Sequence, residues 1–361
     1  MDRDEYAEYV NPDALHRGLQ DRPDPISDEE LAPTAARLCR FYRDLKAAQA
    51  DQPDLYLAGG EWREYLRQQE RLYAPFQKGD IAAASRTLRH FWRNEHGSIV
   101  KQYAGFDRLR ESEDDRHRFT EWTARDYMLW RNLLHADPEE LTVPRVGNPW
   151  GYYVGDVLIA PKALRYHVLA TQIREITADV ARPVVAEIGA GYGGTAHYLM
   201  RGDWPATYVD FDLPEVLLFA AYYLVRTLPH RRVLLWEPGV RVDAATLAAN
   251  DVVLCPNWEL AGLPAGSVDL FLNTFSLSEM PPAVIEEYVR HIERACRGYF
   301  LYNNMDRPGV VNRGHQRVPC SRYPISPRTF KTLYKRYDLF QERHSGRDGD
   351  YREVLLQRIR D

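Results

Sequence analysis

A short apolar run, Val184-Val185-Ala186-Glu187-Ile188, leads into Gly189-Ala190-Gly191-Tyr192-Gly193-Gly194 and then into the helical residues Ala196, His197, Tyr198, Leu199 and Met200. A strand that turns through glycines into a helix can cradle a ligand. Glycine allows positive φ and lets a ligand approach the backbone closely, while the first turn of the helix points free N–H groups at whatever lies there. Tight turns need glycine anyway, so the turn alone is a weak signal. Glu187 sharpens it, because a carboxylate at the strand end repels a pyrophosphate and suits a cation. A second acidic segment, Val209-Asp210-Phe211-Asp212-Leu213-Pro214-Glu215, ends the next apolar run. Asp212 follows Glu187 by 25 positions, near the offset of roughly 20 residues at which an acidic side chain grips ribose hydroxyls in folds of this kind. A turn aspartate before Pro214 is the purely structural alternative, and Asp210 takes the ligand role if the strand register is shifted.

S-adenosylmethionine meets these requirements, since it carries a sulfonium and an α-ammonium group. Glu187-Ile188-Gly189-Ala190-Gly191 resembles the first motif of class I S-adenosylmethionine-dependent methyltransferases, and Asp212-Leu213-Pro214 resembles their ribose-binding segment in many small-molecule O-methyltransferases. The resemblance covers about residues 145 to 361. It implies a Rossmann-like α/β fold with a seven-stranded sheet whose last strand is antiparallel. It also implies S-adenosyl-L-methionine as cofactor, held by Glu187, Gly189, Ala190, Gly191, Asp212 and Leu213, with Asn273 at the end of the fourth strand. The adenine-contacting segment of the family falls on Pro256-Asn257-Trp258, where Asn257 offers hydrogen bonds and Trp258 a stacking face; the family's usual acidic residue is absent there. A narrower likeness rests on Leu270-Phe271-Leu272-Asn273-Thr274-Phe275-Ser276-Leu277-Ser278-Glu279-Met280-Pro281, on Tyr302-Asn303-Asn304 and on Gly147-Asn148-Pro149. These look like the sugar O-methyltransferases of bacterial natural-product and polysaccharide clusters, over most of the chain.

Methyl transfer to a hydroxyl needs the acceptor oxygen held at attack distance and its proton removed. Ligands of such sheets sit outside the carboxyl ends of the strands, so Asn273 to Glu279 should border the crevice. Glu279 is the first candidate for a general base or an acceptor-orienting group, against the alternative that Ser278-Glu279 simply opens the helix that follows. His315, in Asn312-Arg313-Gly314-His315-Gln316, is the second candidate, since histidine exchanges protons near neutral pH; a solvent-exposed loop histidine is its bland reading. His197 reads as helix packing. Asn303, Asn304 and Asp306 are the only suggestive oxygen ligands, and asparagines are weak ligands alone, so no metal is expected.

The elements that must position these residues follow from periodicity. Apolar runs at Val184–Ile188, Thr207–Phe211, Val252–Cys255, Val268–Leu272 and Tyr299–Tyr302 alternate with helical stretches, one of them from Pro161 to about Val180. That alternation argues for a parallel sheet covered by helices. Tyr337 to Arg343 and Arg352 to Ile359, around Gly346 to Gly349, read as a closing antiparallel hairpin. Before about residue 145 the pattern is helical instead. Leu38, Phe41, Tyr42 and Leu45 form one stripe; Asp80 caps a second with Leu88, Phe91 and Trp92; Trp122, Tyr127, Trp130 and Leu134 mark a third. Asp137-Pro138-Glu139-Glu140 reads as a further helix start, and the polar, proline-bearing residues 1 to about 30 read as loop. The expected organisation is a mainly helical N-terminal domain, 1–145, acting as substrate lid or dimerisation module, and a methyltransferase domain, 146–361.

Bulk properties bound the function. The chain has 361 residues, 45% hydrophobic and 27% charged, with a formal net charge of −5, which argues against a generic nucleic-acid binder. No basic, apolar leader opens it, and no apolar run approaches the ~20 residues of a membrane helix. Cys39, Cys255, Cys296 and Cys320 lie far apart, as reduced thiols of a cytoplasmic enzyme do. The expectation is an O-methyltransferase acting on a small-molecule hydroxyl, of a sugar or glycosylated natural product or else of a polyketide or phenol. The amphipathic stripes are compatible with a homodimer, and neither nucleic acid nor membrane is expected as partner. A non-catalytic cofactor-binding or scaffolding protein is the rival from another class; a dinucleotide oxidoreductase is disfavoured by Glu187, which precedes the turn Gly189-Ala190-Gly191-Tyr192-Gly193-Gly194.

Overall fold

A computed structural model of the chain describes residues 9–94, 105–311, 315–340 and 350–359. Side-chain caps start several helices of the first part. The polar arm read as loop contains a short helix, α1 (Pro12–Gly18), because the Asn11 side chain accepts from Asp13 N and a proline sits at the first position. Ser27 and Glu30 form a reciprocal capping box that starts α2 (Asp28–Gln49) and buries Leu38, Phe41, Tyr42 and Leu45. Helices α3 (Gly60–Gln68), α4 (Glu70–Lys78) and α5 (Ile81–Arg89) follow, the last capped by Asp80. Then come α6 (Phe106–Glu111) and α7 (Glu113–Leu134). The helix expected at Asp137 is a single 3-10 turn, Pro138–Leu141, with no amphipathic stripe after it to extend.

A small hairpin, β1 (Tyr152–Val154) and β2 (Val157–Ile159), precedes α8 (Ala163–Ile176). The alternating part then runs β3 (Val184–Ile188), α9 (Gly194–Met200), β4 (Thr207–Asp212), α10 (Pro214–Thr227), β5 (Val233–Leu235), α11 (Ala244–Ala249), β6 (Val252–Pro256), β7 (Val268–Thr274), α12 (Pro282–Ala295) and β8 (Cys296–Met305). A second small hairpin, β9 (Gly309–Val311) with β10 (His315–Arg317), leads to β11 (Phe330–Tyr337) and β12 (Tyr351–Arg358). Among the described residues the main sheet has the order β11-β12-β8-β7-β3-β4-β6-β5. Neighbours from β8 to β5 are parallel, and β12 is antiparallel to both β8 and β11. This is a mostly parallel sheet with its last strand reversed, widened at one edge by β5, whose three residues are too short to signal a strand in sequence.

The closing hairpin lies earlier than its sequence suggested on its first arm, at Phe330–Tyr337 rather than from Tyr337 onward. β11 is an edge strand exposed along most of its length, so it needs no apolar run, and Lys331 and Lys335 protect such an edge from further pairing. Residues 341–349, where its turn was expected, lie outside the described residues. Strand order reverses between β3 and β7: the chain leaves β3 toward β4 and returns to β7 on the other side. Connections that depart in opposite directions leave a crevice at the carboxyl ends of those two strands.

One continuous apolar cluster runs through both the helical part and the sheet. At the junction, the Phe91 ring packs on Tyr192 of the glycine loop and on Phe219, Tyr222 and Tyr223 of α10, with centroids 5.8–6.2 Å apart. Phe91 is fully buried there. Phe91→Ala should therefore cost about 3–5 kcal/mol, read as a drop in the denaturant midpoint; a change below about 1 kcal/mol would show that the two parts do not depend on this contact.

Candidate active site

The crevice holds a cavity of about 270 Å³. Its floor is the glycine loop, Gly189, Ala190 and Gly191, with Asp212 and Leu213 from the end of β4 and Asn257 just after β6. Glu279 and the segment from Thr274 to Ser276 form another wall. Six of the nine residues singled out in sequence for a cofactor, Gly189, Ala190, Gly191, Asp212, Leu213 and Asn257, thus line one cavity, together with Glu279.

The loop keeps its shape through backbone conformation and two neighbours. Gly189 and Gly191 have φ of 78° and 65°, left-handed values that side chains disfavour. A Cβ on Gly189 would lie 2.3 Å from Ser276 Oγ. On the other side Asp212 Oδ2 accepts the Gly191 N–H at 3.2 Å, and Oδ1 accepts the Leu213 N–H at 2.8 Å. Asp212 is thereby oriented at the cavity wall by the loop itself. Asn257 donates from Nδ2 to Tyr56 O at 3.0 Å and to Tyr288 Oη at 2.9 Å, while its buried Oδ1 has no partner among the described residues.

Three of the nine residues lie elsewhere. Trp258 does not line the cavity; its ring packs edge-on against Trp236, centroids 6.1 Å apart. Asn273 is wholly buried and spends its amide on structure. Nδ2 donates to Ile188 O at 2.8 Å and Ser276 Oγ at 2.6 Å, and Oδ1 accepts from Asn304 Nδ2 at 2.8 Å. Glu187 lies beneath the loop, buried, with the Tyr208 hydroxyl donating to its carboxylate. Its register partner on β4 is Asp210, which is wholly buried and does not line the cavity, whereas Asp212, at the end of the strand, does. Burial raises the Glu187 carboxyl to about 7, against the lowering effect of the Tyr208 bond.

His315 occupies β10 by its backbone, and its side chain lies outside the described residues. His197 is buried against Tyr198 and Tyr223, away from the cavity, and burial lowers its pKa to about 3. Asn303 donates from Nδ2 to Asp338 while its Oδ1 has no partner among the described residues, Asn304 Oδ1 accepts the Ser278 N–H at 3.1 Å, and Asp306 accepts from Lys335 at 2.9 Å. Among the described residues no cluster of three or more His, Cys, Asp or Glu has metal-site geometry, and no helix is long and apolar enough to cross a membrane. All four cysteines are buried and unpaired.

The cavity also contains residues that sequence reasoning missed. Leu55, Leu57, Ala58, Gly59 and Trp62, from the helical part, close one side, and the Trp62 indole N–H donates to Glu279 Oε2 at 2.7 Å. Trp62 is one aromatic in an amphipathic helix, and no local pattern separates it from a core residue. Lys162, in a left-handed conformation (φ 64°), and Arg165 enter from the start of α8. Arg165 bonds Asp338 Oδ2 at 2.7 Å, with its guanidinium 3.9 Å from the Phe275 ring centroid. Phe275 is itself held at φ 68°, ψ −31°, a backbone conformation costing about 1–3 kcal/mol and commonest at functional sites.

No family model matches the chain, and no curated protein matches it. Solved structures with a similar arrangement include magnesium protoporphyrin IX methyltransferase from Synechocystis PCC 6803 with bound S-adenosylhomocysteine, at 12% identity and a TM-score of 0.36, over 55% of this chain and 84% of that one. The 1,6-didemethyltoxoflavin-N1-methyltransferase of Burkholderia thailandensis is similar at 16% identity and a TM-score of 0.33, over 54% and 79%. The cyclase SpnF is similar at 15% and 0.39, over 58% and 86%. Likeness at this level carries no conclusion about activity.

Two outcomes follow from the loop and the carboxyl beneath it. Gly189→Ala should remain folded but displace Ser276 or the loop, weakening any ligand of this cavity at least tenfold; unchanged ligand affinity would dissociate the loop from binding. Because the Glu187 pKa is raised in the folded chain, its stabilising contribution is whole below the ordinary carboxylate range and is lost as pH rises through about 7. Relative to Glu187→Gln, the ligand-free wild type should lose melting temperature across that window, by roughly 3 kcal/mol of stability. Parallel pH profiles for the two proteins would show that Glu187 is ionised when folded.

Proposed function

We propose that this chain is an S-adenosylmethionine-dependent O-methyltransferase whose acceptor is the hydroxyl of a small molecule, in the first place a sugar or a glycosylated natural product. One observation carries the reading: a glycine loop, an acidic residue pinned to that loop and an amide with an unpartnered carbonyl share one cavity at the strand-order reversal. A nucleoside suits all three. Asp212 accepts from ribose hydroxyls, Asn257 Oδ1 accepts from an exocyclic adenine amine, and the left-handed backbone of Gly189 and Gly191 lines the cavity beside them. Arg165 and Lys162 supply cations for an α-carboxylate at the other end. S-adenosylmethionine would bring to this site an electrophilic methyl group on a sulfonium.

The chain's own work is then to place an oxygen and take its proton. Glu279 carries the carboxylate on the acceptor side of the cavity, and the Trp62 indole N–H at 2.7 Å fixes its orientation. Oriented in this way, the carboxylate accepts the hydroxyl proton as the oxygen becomes a nucleophile. Leu55, Leu57, Ala58, Gly59 and Trp62 wall one side of the cavity, excluding water that would otherwise compete for the methyl group. The mixture of aromatic faces (Trp62, Phe275, Tyr351) and planar polar groups (Arg165, Glu279) in the wall suits a sugar ring. The same aromatic faces favour a phenolic or polyketide hydroxyl as the second reading, and a panel of acceptors separates the two.

Calorimetry with S-adenosylmethionine and S-adenosylhomocysteine should show binding that Asp212→Ala weakens at least tenfold, about 1.4 kcal/mol. Failure of the folded wild type to bind either compound would sink the proposal. With an acceptor in hand, Glu279→Gln should lower kcat by a factor on the order of 100 to 10,000 at unchanged cofactor affinity. Trp62→Phe, which removes the orienting N–H together with part of the ring but leaves the carboxylate in place, should give a smaller loss in kcat. Full kcat in Glu279→Gln would remove this carboxylate from proton handling.

A further inference from the structure

Three carboxyl groups share one face of the sheet at the glycine loop, Glu187 and Asp210 buried beneath it and Asp212 at the cavity wall. Glu187 on β3 pairs in register with Asp210 on β4, and Asp212 follows two residues later on the same face. Asp210 is wholly buried, with no hydrogen bond of ordinary geometry to its oxygens among the described residues and the Ala190 backbone N–H as the donor that favours its ionised form. The groups acting on this cluster come from every side: Arg165 and Tyr166 of α8, Tyr208 of β4, Cys255 of β6, Glu215 of α10, Glu279, Tyr288 of α12 and Tyr73 of α4. Arg165, the cation in this set, is ion-paired to Asp338 at 2.7 Å, and Lys46 pairs with Glu215 at 2.8 Å.

We propose that Asp210 is a specificity-determining residue that makes the site prefer a sulfonium cofactor over its neutral thioether product, the carboxyl cluster giving up a proton to solvent when the cation binds above it. The inference rests on the S-adenosylmethionine reading and goes beyond it. Three carboxyls in one dry site cannot all ionise, so they retain protons at neutral pH. Burial and the neighbouring carboxylates Asp212 and Glu187 hold Asp210 well above its ordinary value, and the cluster titrates as a unit. A cation above Asp212 favours the ionised cluster, and one proton leaves for the buffer. Once the methyl group has been transferred, the sulfonium charge is gone and the cluster takes a proton back. The product then sits on a site that has lost its electrostatic preference for it. Asp210 does not line the cavity, so it acts through its charge rather than by contact.

The test is calorimetry on the full chain with S-adenosylmethionine and S-adenosylhomocysteine, in phosphate and in Tris, whose different ionisation enthalpies reveal proton release. S-adenosylmethionine should release up to one proton near pH 7 and S-adenosylhomocysteine distinctly less. The ratio of their affinities should rise with pH from about 6 to 8, by up to tenfold per unit for one linked proton. Asp210→Asn should flatten that rise while still binding S-adenosylhomocysteine, which also reports that the variant is folded. Equal proton release with the two compounds, or a pH-independent affinity ratio in the wild type, overturns the proposal; both are read without any variant. Binding of neither compound overturns it together with the reading on which it rests.

Discussion

The glycine loop is a run of left-handed backbone that could not hold its shape alone, and the two strand ends beside it hold it from both sides. On one side the Asp212 carboxylate accepts the Gly191 N–H. On the other, Ser276 occupies the space that a side chain on Gly189 would need, with its hydroxyl donating to Ile188 O at 3.0 Å. Asn273 locks this second contact by donating to the same carbonyl and to Ser276. The loop, the ends of β4 and β7 and the cavity between them are therefore one unit. Displacing any of the three moves the others, because each satisfies hydrogen bonds that would be orphaned in a buried site.

The helical part is built into this unit rather than appended to it. Phe91 and Trp92 pack on Tyr192, the one bulky residue of the glycine loop, so the loop is clamped from above by aromatic contacts as well as from the sides by polar ones. Trp62 reaches the cavity and orients Glu279. Aromatic residues of an amphipathic bundle thus do two jobs with the same chemistry. Phe91 contributes buried area, and Trp62 contributes an indole N–H where the wall needs a donor.

Charge burial is the cost of this arrangement. Arg165 and Asp338 form a nearly dry ion pair, side chains 9% and 2% exposed, and such pairs gain little net stability after desolvation. Asp338 also accepts the Phe340 N–H at 2.8 Å and a bond from Asn303, so its remaining capacity is satisfied and the guanidinium is held over Phe275. At Glu187 and Asp212 the compensation is by hydrogen bonds alone, from the Tyr208 hydroxyl and from two backbone N–H groups, and Asp210 has no bond of ordinary geometry among the described residues. A fold selected for stability alone would not place Glu187, Asp210 and Asp212 together, which points to a charge requirement of the ligand rather than of the scaffold.

Local sequence was enough to determine the elements whose signal is local. Val184–Ile188 followed by glycines and a helix, the cap at Asp80, and the alternation of buried strands and helices are all legible, because propensity, capping and period act within a few residues. Asp212 was legible by its spacing from Glu187. The exposed edge strand β11 and the three-residue β5 were not, since neither needs an apolar pattern. What only tertiary structure decided was which side chains meet. Trp258, promising by position, turns to Trp236, while Trp62, some 200 residues from Glu279 in the chain (|i−j| of 217), turns to the cavity. Both are tryptophans in helical segments, and no short-range rule distinguishes them. Asn273, Arg165 and Asp210 likewise owe their roles to partners on other strands and helices. Local sequence sets the conformation each residue prefers, whereas long-range packing sets the neighbours that give a polar side chain its partner, its burial and its charge state.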